Sequence, residues 1–359
     1  MARSRDEHAR YDRPSKKGSR PRTKQRPEHA DAVTGLVTGV DRGRYTLVVD
    51  DGTPDEHGVL AMKARELTRT RVVVGDRVDV VGDTTGDEGT LARIVRIGDR
   101  TSVLRRTADD TDPYERIVVA NADQLVIVTA LAQPEPRTGM IDRCVVAAYE
   151  ARMDVLLCLT KADLASPDAL RTLYEPLGVE VVVTRADDDA TVETVRERLV
   201  GRTSVFVGHS GVGKSTLINA LVPDARRSTG VVNDVTGRGR HTSTSAVALR
   251  LPTGPAAEPD PSPALGSGHG VTHDGWVIDT PGVRSFGLAH VETANLLAAF
   301  EDLDAVAAEC PRGCTHLADS PDCALDAWVE SSADDEVRAV RTARLASFRR
   351  LLTARSAAE

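Results

Sequence analysis

Val205–Val222, VFVGHSGVGKSTLINALV, decides how the rest of the chain is read. Three apolar residues, Val205–Val207, run into Gly208, His209, Ser210, Gly211, Val212, Gly213, Lys214, Ser215 and Thr216, and a helix-like segment follows until Pro223. The spacing is G-x-x-x-x-G-K-S in the order strand, loop, helix that the phosphate-binding loop requires. Glycines let successive main-chain N–H groups curl around an anion, and the helix start adds its positive end. Lys214 is placed to reach the outer phosphates and the Ser215 hydroxyl to hold Mg²⁺. A chance glycine-rich turn is the plain alternative, but full pattern and context together imply a nucleoside triphosphate site.

At 359 residues the chain can hold two or three cores, and its 40% hydrophobic and 28% charged residues are ordinary for a water-soluble protein. No apolar run reaches membrane-span length, and the polar start does not resemble a secretory signal, so a cytoplasmic location without membrane contact is expected. The net charge of −8 is uneven: residues 1–30 hold ten Lys/Arg against four Asp/Glu. Such an arm, broken by proline, either binds nucleic acid or merely solubilises. The acidic remainder would meet RNA only through local basic patches, making any such binding salt-sensitive.

From Ala32 to Arg106 five short β-rich runs (GLVTGV, YTLVVDDG, GVLAMK, VVVGDRVDVVG, TLARIVRIG) alternate with turn clusters, which predicts a small OB-fold β-barrel. Its Tyr45 is the one aromatic available for base stacking, so it binds nucleic acid mainly through phosphates or is purely structural. From Ala122 the pattern becomes α/β: buried-strand runs at Asp123–Ala130, Asp154–Thr160, Val179–Thr184 and Thr203–Val207 alternate with helices at Met140–Arg152 and Ala190–Val200. Cys144 and Cys158 fall in these runs and read as core. Residues 252–273, rich in Pro, Gly and Ala, read as a flexible insertion.

Trp276-Val-Ile278 delivers Asp279-Thr-Pro-Gly282, where a carboxylate at a strand end can hold Mg²⁺ and the Gly282 N–H can sense a γ-phosphate. Thr160-Lys161-Ala-Asp163 follows another buried strand and resembles the guanine-reading N/T-K-x-D motif. An ionised Asp163 only accepts hydrogen bonds and so suits guanine's N1–H and N2–H₂, with Lys161 along the base plane; Thr184 is placed near the loop that closes over the base. A solvated turn is the bland reading of the same residues. Asp163 precedes the phosphate loop and Asp279 follows it, the order of a circularly permuted P-loop GTPase. Cys310, Cys314, His316 and Cys323 form a Cys₃His set suited to one structural Zn²⁺, with redox-active or packed cysteines as the alternative. In Val337–Arg355, Val337, Val340, Leu345, Phe348 and Leu352 share a helical face, and arginines 338, 341, 344, 349, 350 and 355 occupy the rest. These arginines are either a solvated surface or an RNA-phosphate contact.

A barrel, then TKAD–GHSGVGKS–DTPG, then C-x₃-C-x-H-x₆-C resembles the RsgA (YjeQ) family of small-subunit-dependent GTPases over about residues 32 to 355. Ile141-Asp142-Arg143 and Gly237-Arg-Gly-Arg-His241-Thr-Ser-Thr244 are similar as well. The resemblance implies GTP hydrolysis to GDP, stimulated by the 30S subunit during its late maturation, with Thr242 or Thr244 linked to Mg²⁺ and His241 acting in hydrolysis. It implies 16S rRNA and the 30S subunit as partners of a monomer. Val283 stands where many GTPases carry a water-orienting Gln, which predicts slow intrinsic turnover. The expected organisation is multidomain α/β: arm 1–31, OB-fold 32–106, permuted GTPase domain 107–286 and a C-terminal helical zinc-binding domain 287–359. A GTP-binding RNA adaptor with negligible hydrolysis, a P-loop kinase or ATPase, and a large-subunit permuted GTPase are the competing readings.

Overall fold

The computed structural model describes residues 29–67, 70–106, 116–185, 187–223, 246–252, 275–280, 286 and 293–356. The chain divides into two compact units, Met1–Asp31 and Ala32–Glu359, and every element named below belongs to the second. Short apolar-rich runs form β1 (Val33–Asp41), β2 (Arg44–Val49), β3 (His57–Lys63), β4 (Arg77–Val81) and β5 (Ala92–Ile97), with inward and outward residues alternating along β2, β3 and β4. β1 pairs antiparallel with both β2 and β4, and β3 runs parallel to β5, so the ring closes in the order β1-β2-β3-β5-β4. This is the predicted five-stranded barrel, filled by Val37, Leu47, Val59, Val78, Val80 and Ile94. Tyr45 corrects the sequence reading: it is 5% exposed and packed in that core, so it offers no ring to a base. A hairpin of β6 (Val103–Arg106) and β7 (Arg116–Ala120), not expected from the sequence, follows the barrel.

The α/β part contains α1 (Thr138–Glu150), α2 (Asp168–Tyr174), α3 (Asp189–Leu199) and α4 (Lys214–Leu221) around β8 (Gln124–Ala130), β9 (Asp154–Thr160), β10 (Glu180–Val183), β11 (Arg202–Gly208), β12 (Val247–Leu251) and β13 (Gly275–Asp279). Its strands run in the order β10-β9-β8-β11-β13-β12, parallel except for β12. Every residue of β8 is buried, because the sheet is covered on both faces. Leu125 and Ile127 pack in the core that holds Ile141, Val145 and Ala148 of α1, whereas Val126 and Val128 share a core with Val195 of α3 and Leu217 of α4. Cys144 and Cys158 are fully buried and their thiols are pushed up to about 12, by burial in both cases, so they are inert packing groups. The unanticipated β12 also pairs with β1 at Gly39 and Val247, which joins barrel and α/β sheet into eleven continuous strands.

Beyond β13 come α5 (Thr293–Ala298), α6 (Glu301–Ala307), α7 (Ala324–Glu330) and α8 (Asp335–Ser356). Leu345, Phe348 and Leu352 of α8 are buried, Phe348 lying edge-on to Phe300 at 5.4 Å, but Val340 is 65% exposed, so the apolar face begins later than expected. Of the five α8 arginines whose side chains are described, Arg338 is exposed and the other four are turned to neighbouring groups. Arg344 grips Asp302 through two bonds of 3.0 and 2.8 Å, Arg349 grips Asp326 at 2.8 and 2.7 Å, and Arg350 reaches buried Asp142 at 3.2 Å. Arg341 stacks on Trp328 at 4.6 Å. Four arginines therefore fasten α8 to its neighbours.

Candidate functional site

Register places the functional loops. Val128 of β8 lies opposite Gly208 of β11, Ala130 opposite Thr160 of β9, and Phe206 opposite Asp279 of β13. Parallel strands so aligned deliver the phosphate loop, Thr160–Asp163 and Asp279 to one edge of the sheet, the carboxyl edge where open α/β sheets bind ligands.

The phosphate loop is shaped by close approaches. A side chain at Gly208 would bring Cβ to 2.6 Å from the Val128 carbonyl oxygen, so only glycine lets the chain leave β11 here. Gly213 sits before α4 with φ of +92°, backed by Thr160. Val212 is buried, His209 half-buried and Ser210 exposed; Ser215 and Thr216 are exposed on the first turn of α4. Lys214 Nζ meets Asp279 Oδ1 in a largely buried ion pair. The two residues expected to handle phosphate and Mg²⁺ thus neutralise each other, and an incoming polyphosphate with its cation would divide them. The neighbouring Thr280 hydroxyl, 2% exposed, donates to the Phe206 carbonyl at 2.6 Å and pins the end of β13 to β11. That role had no signal in the sequence.

Thr160, standing where Asn is more usual, has a definite task. Its buried hydroxyl donates to the Val212 carbonyl at 2.5 Å, with the Thr129 carbonyl farther away at 3.3 Å. The strand end before Asp163 is thereby tied to the phosphate loop. Lys161, at φ of +57°, donates to the Gln133 carbonyl, and Asp163 is exposed on the rim. Thr184 is buried with its hydroxyl 3.3 Å from that of Thr191, so it braces the adjacent loop from beneath. Gly282, Val283, His241, Thr242 and Thr244 lie outside the described residues, as does nearly all of 252–273.

The second cluster sits between α6 and α7. The donor atoms of Cys310, Cys314, His316 and Cys323 all lie within 4.8 Å of one another. His316 Nδ1 is 3.6, 3.5 and 3.9 Å from the sulfurs of Cys310, Cys314 and Cys323. Donors around one tetrahedral Zn²⁺ at ordinary bond lengths stand roughly 3.5–3.8 Å apart, so this set suits the ion once its wider pairs, such as Cys310 and Cys323 at 4.0 Å, draw in slightly. Burial, then the charge of Arg349, holds His316 below its ordinary pKa, which keeps the ring a neutral ligand. Outer contacts fix the ligands: Ala324 N–H points to Cys310 Sγ at 3.3 Å, Ser320 Oγ lies 3.1 Å from Cys314 Sγ, and Arg349 donates to the His316 carbonyl at 2.9 Å.

With that geometry in place, comparison with known proteins is decisive. A family described as "RsgA GTPase" matches residues 97–257, and one described as "50S ribosome-binding GTPase" matches 203–340. The chain is 32% identical over 317 residues to the small ribosomal subunit biogenesis GTPase RsgA of Chlorobaculum parvum, covering 86% of this chain and 95% of that one. The chain belongs to the RsgA family. The protein of the same name from Bacteroides fragilis strain YCH46 is 35% identical over 316 residues, covering 85% of this chain and 94% of the relative. Among solved structures, YjeQ from Thermotoga maritima is similar with a TM-score of 0.56 and 25% identity, covering 89% of this chain and 99% of that one. YloQ, described as a circularly permuted GTPase, shares the fold with a TM-score of 0.59 over 92% of this chain and 98% of its own.

Proposed function

We propose that this chain hydrolyses GTP to GDP and phosphate in the biogenesis of the small ribosomal subunit, and that the subunit stimulates the reaction. The observation that carries the reading is the convergence of Lys214, Asp279 and the Thr160–Asp163 loop at one sheet edge, in a chain matching RsgA proteins over nearly their whole length. That whole-length match favours the small subunit over the large one, since the "50S ribosome-binding GTPase" family matches residues 203–340 and leaves out the barrel.

In this reading the main chain of Gly208–Lys214 and the Lys214 ammonium hold the polyphosphate, and Ser215 and Asp279 would hold Mg²⁺, which when bound would supply positive charge against the phosphoryl oxygens. Asp163 accepts from the guanine N1–H and N2–H₂, and Lys161 lies along the base. Gly282 senses the γ-phosphate, Thr242 or Thr244 would add a ligand to Mg²⁺, and His241 orients water when the subunit is bound. Zn²⁺ held by the Cys₃His cluster stabilises the C-terminal unit and takes no part in the chemistry. The protein acts as a monomer in the cytoplasm and contacts 16S rRNA through phosphates.

Calorimetric titration with GTP and ATP tests the assignment. Unmodified protein should bind GTP selectively, Lys214→Ala should lose both, and Asp163→Asn should lose guanine preference. Equal uptake of ATP and GTP would reject the base-reading loop. His241→Ala should retain GTP binding while losing stimulated turnover; undiminished turnover would remove His241 from the mechanism.

A further inference from the structure

Guanine shows two faces to its site: the N1–H and N2–H₂ donors that suit Asp163, and the O6 and N7 acceptors that a carboxylate cannot serve. The acceptor edge needs N–H or O–H groups, and among the described residues three nearby candidates are committed. The Thr160 hydroxyl donates to Val212 at 2.5 Å, Lys161 Nζ is drawn to the Gln133 carbonyl, and the main-chain N–H of Arg185 donates to Thr191 Oγ1 at 2.9 Å. The Arg185 side chain is differently placed. It leaves the end of β10, whose Val183 lies opposite Leu159 of β9, so it emerges one strand from the Thr160–Asp163 loop. Thr184 N–H, bonded to the Leu159 carbonyl at 2.8 Å, fixes that emergence. Arg185 Nε and Nη2 grip Asp187 Oδ1 and Oδ2 at 3.2 and 3.0 Å, and the side chain is 43% exposed. A guanidinium held along one edge keeps its outer Nη1/Nη2 edge for a second acceptor pair. Asp163 lies within electrostatic reach of it.

We propose that Arg185, oriented by Asp187, reads the O6/N7 edge of the bound guanine opposite Asp163, making it a specificity-determining residue. The inference rests on the guanine-nucleotide reading above. Arg paired with guanine O6 and N7 is a geometrically favoured match, and adenine would turn its N6 amino donor toward the same guanidinium. This chain thereby supplies from a side chain just beyond the neighbouring strand what Thr160, bonded inward, does not.

Calorimetry on the full-length protein with GDP, 7-deaza-GDP (no N7 acceptor) and inosine diphosphate (no N2 amine) separates the two readers. Unmodified protein should prefer GDP over 7-deaza-GDP by about tenfold, the usual scale of one charge-assisted hydrogen bond. Arg185→Ala should abolish that preference while keeping the preference for GDP over inosine diphosphate; Arg185→Lys should restore it only in part. Arg185 and Asp187 are both exposed, so folding is expected to survive the change, and a thermal melt checks it. Undiminished GDP affinity in Arg185→Ala, or equal weakening toward GDP and 7-deaza-GDP, would overturn the proposal. GDP and inosine diphosphate bound alike by unmodified protein would instead overturn the Asp163 reading, and the 7-deaza comparison would still decide Arg185.

Discussion

Thr160 shows most clearly how one side chain serves two parts of the site. Its hydroxyl ties the strand end before Asp163 to the Val212 carbonyl of the phosphate loop at 2.5 Å, and both residues are buried. Thr160→Val keeps the shape and removes the donor, leaving a buried carbonyl unmatched at a cost of about 1–3 kcal/mol. We expect a lower melting temperature and a several-fold loss of affinity for both GDP and GTP, because base and phosphate loops no longer move together; fluorescence titration with both nucleotides checks this. Unchanged affinity would make the bond incidental. The sequence named Thr160 through its motif but not this bond, since a hydroxyl's partner is set by strand register and not by neighbours in the chain. Asp142 was equally opaque: nothing local says that its carboxylate is buried against Arg350, 208 residues away.

At the scale of elements, α8 is held by paired charges as much as by apolar contact. Periodicity alone placed its arginines on the outside, because a helical wheel does not reveal the acids waiting on α1, α6 and α7. Removing one partner of the Asp142–Arg350 pair, whose carboxylate side chain is 5% exposed, strands the other; Arg350→Ala should destabilise the protein by about 2–4 kcal/mol in urea unfolding. The carboxyl of Asp326 is held below its usual range first by the Arg349 hydrogen bonds; that of Asp302 also ends low, since bonds and charge from Arg344 outweigh a burial effect that raises it. A depressed folded-state pKa contributes stability above the unfolded value of about 4 and loses it as pH falls through the lower folded value. Docking of α8 should therefore weaken on acidification below about pH 4, and Asp302→Asn with Asp326→Asn should flatten that limb in a pH series of thermal melts. Metal removal is a separate test. A chelator should release one Zn²⁺ per chain and increase hydrogen exchange around 310–330 while GDP binding persists; a nucleotide site lost together with the metal would contradict a structural role.

Across the whole molecule, the phosphate loop, permuted motif order, five-stranded barrel and metal set were legible because each rests on local spacing. What stayed hidden was long-range pairing. β12 joins the barrel at Gly39 and Val247, and its alternating run Val247-Ala-Leu-Arg-Leu251 says nothing of the strand it pairs with. This joint makes barrel and GTPase sheet continuous, and β12 follows directly on the stretch that holds His241 and Thr244. A particle that engages the barrel is thus connected through one strand to residues expected to govern hydrolysis. The most direct trial is multiple-turnover phosphate release from GTP, measured side by side with purified 30S, 50S and 70S particles and with none. Turnover should be slow alone and rise strongly with 30S subunits only; a rate indifferent to 30S, or raised equally by 50S, would contradict the function assigned to this chain.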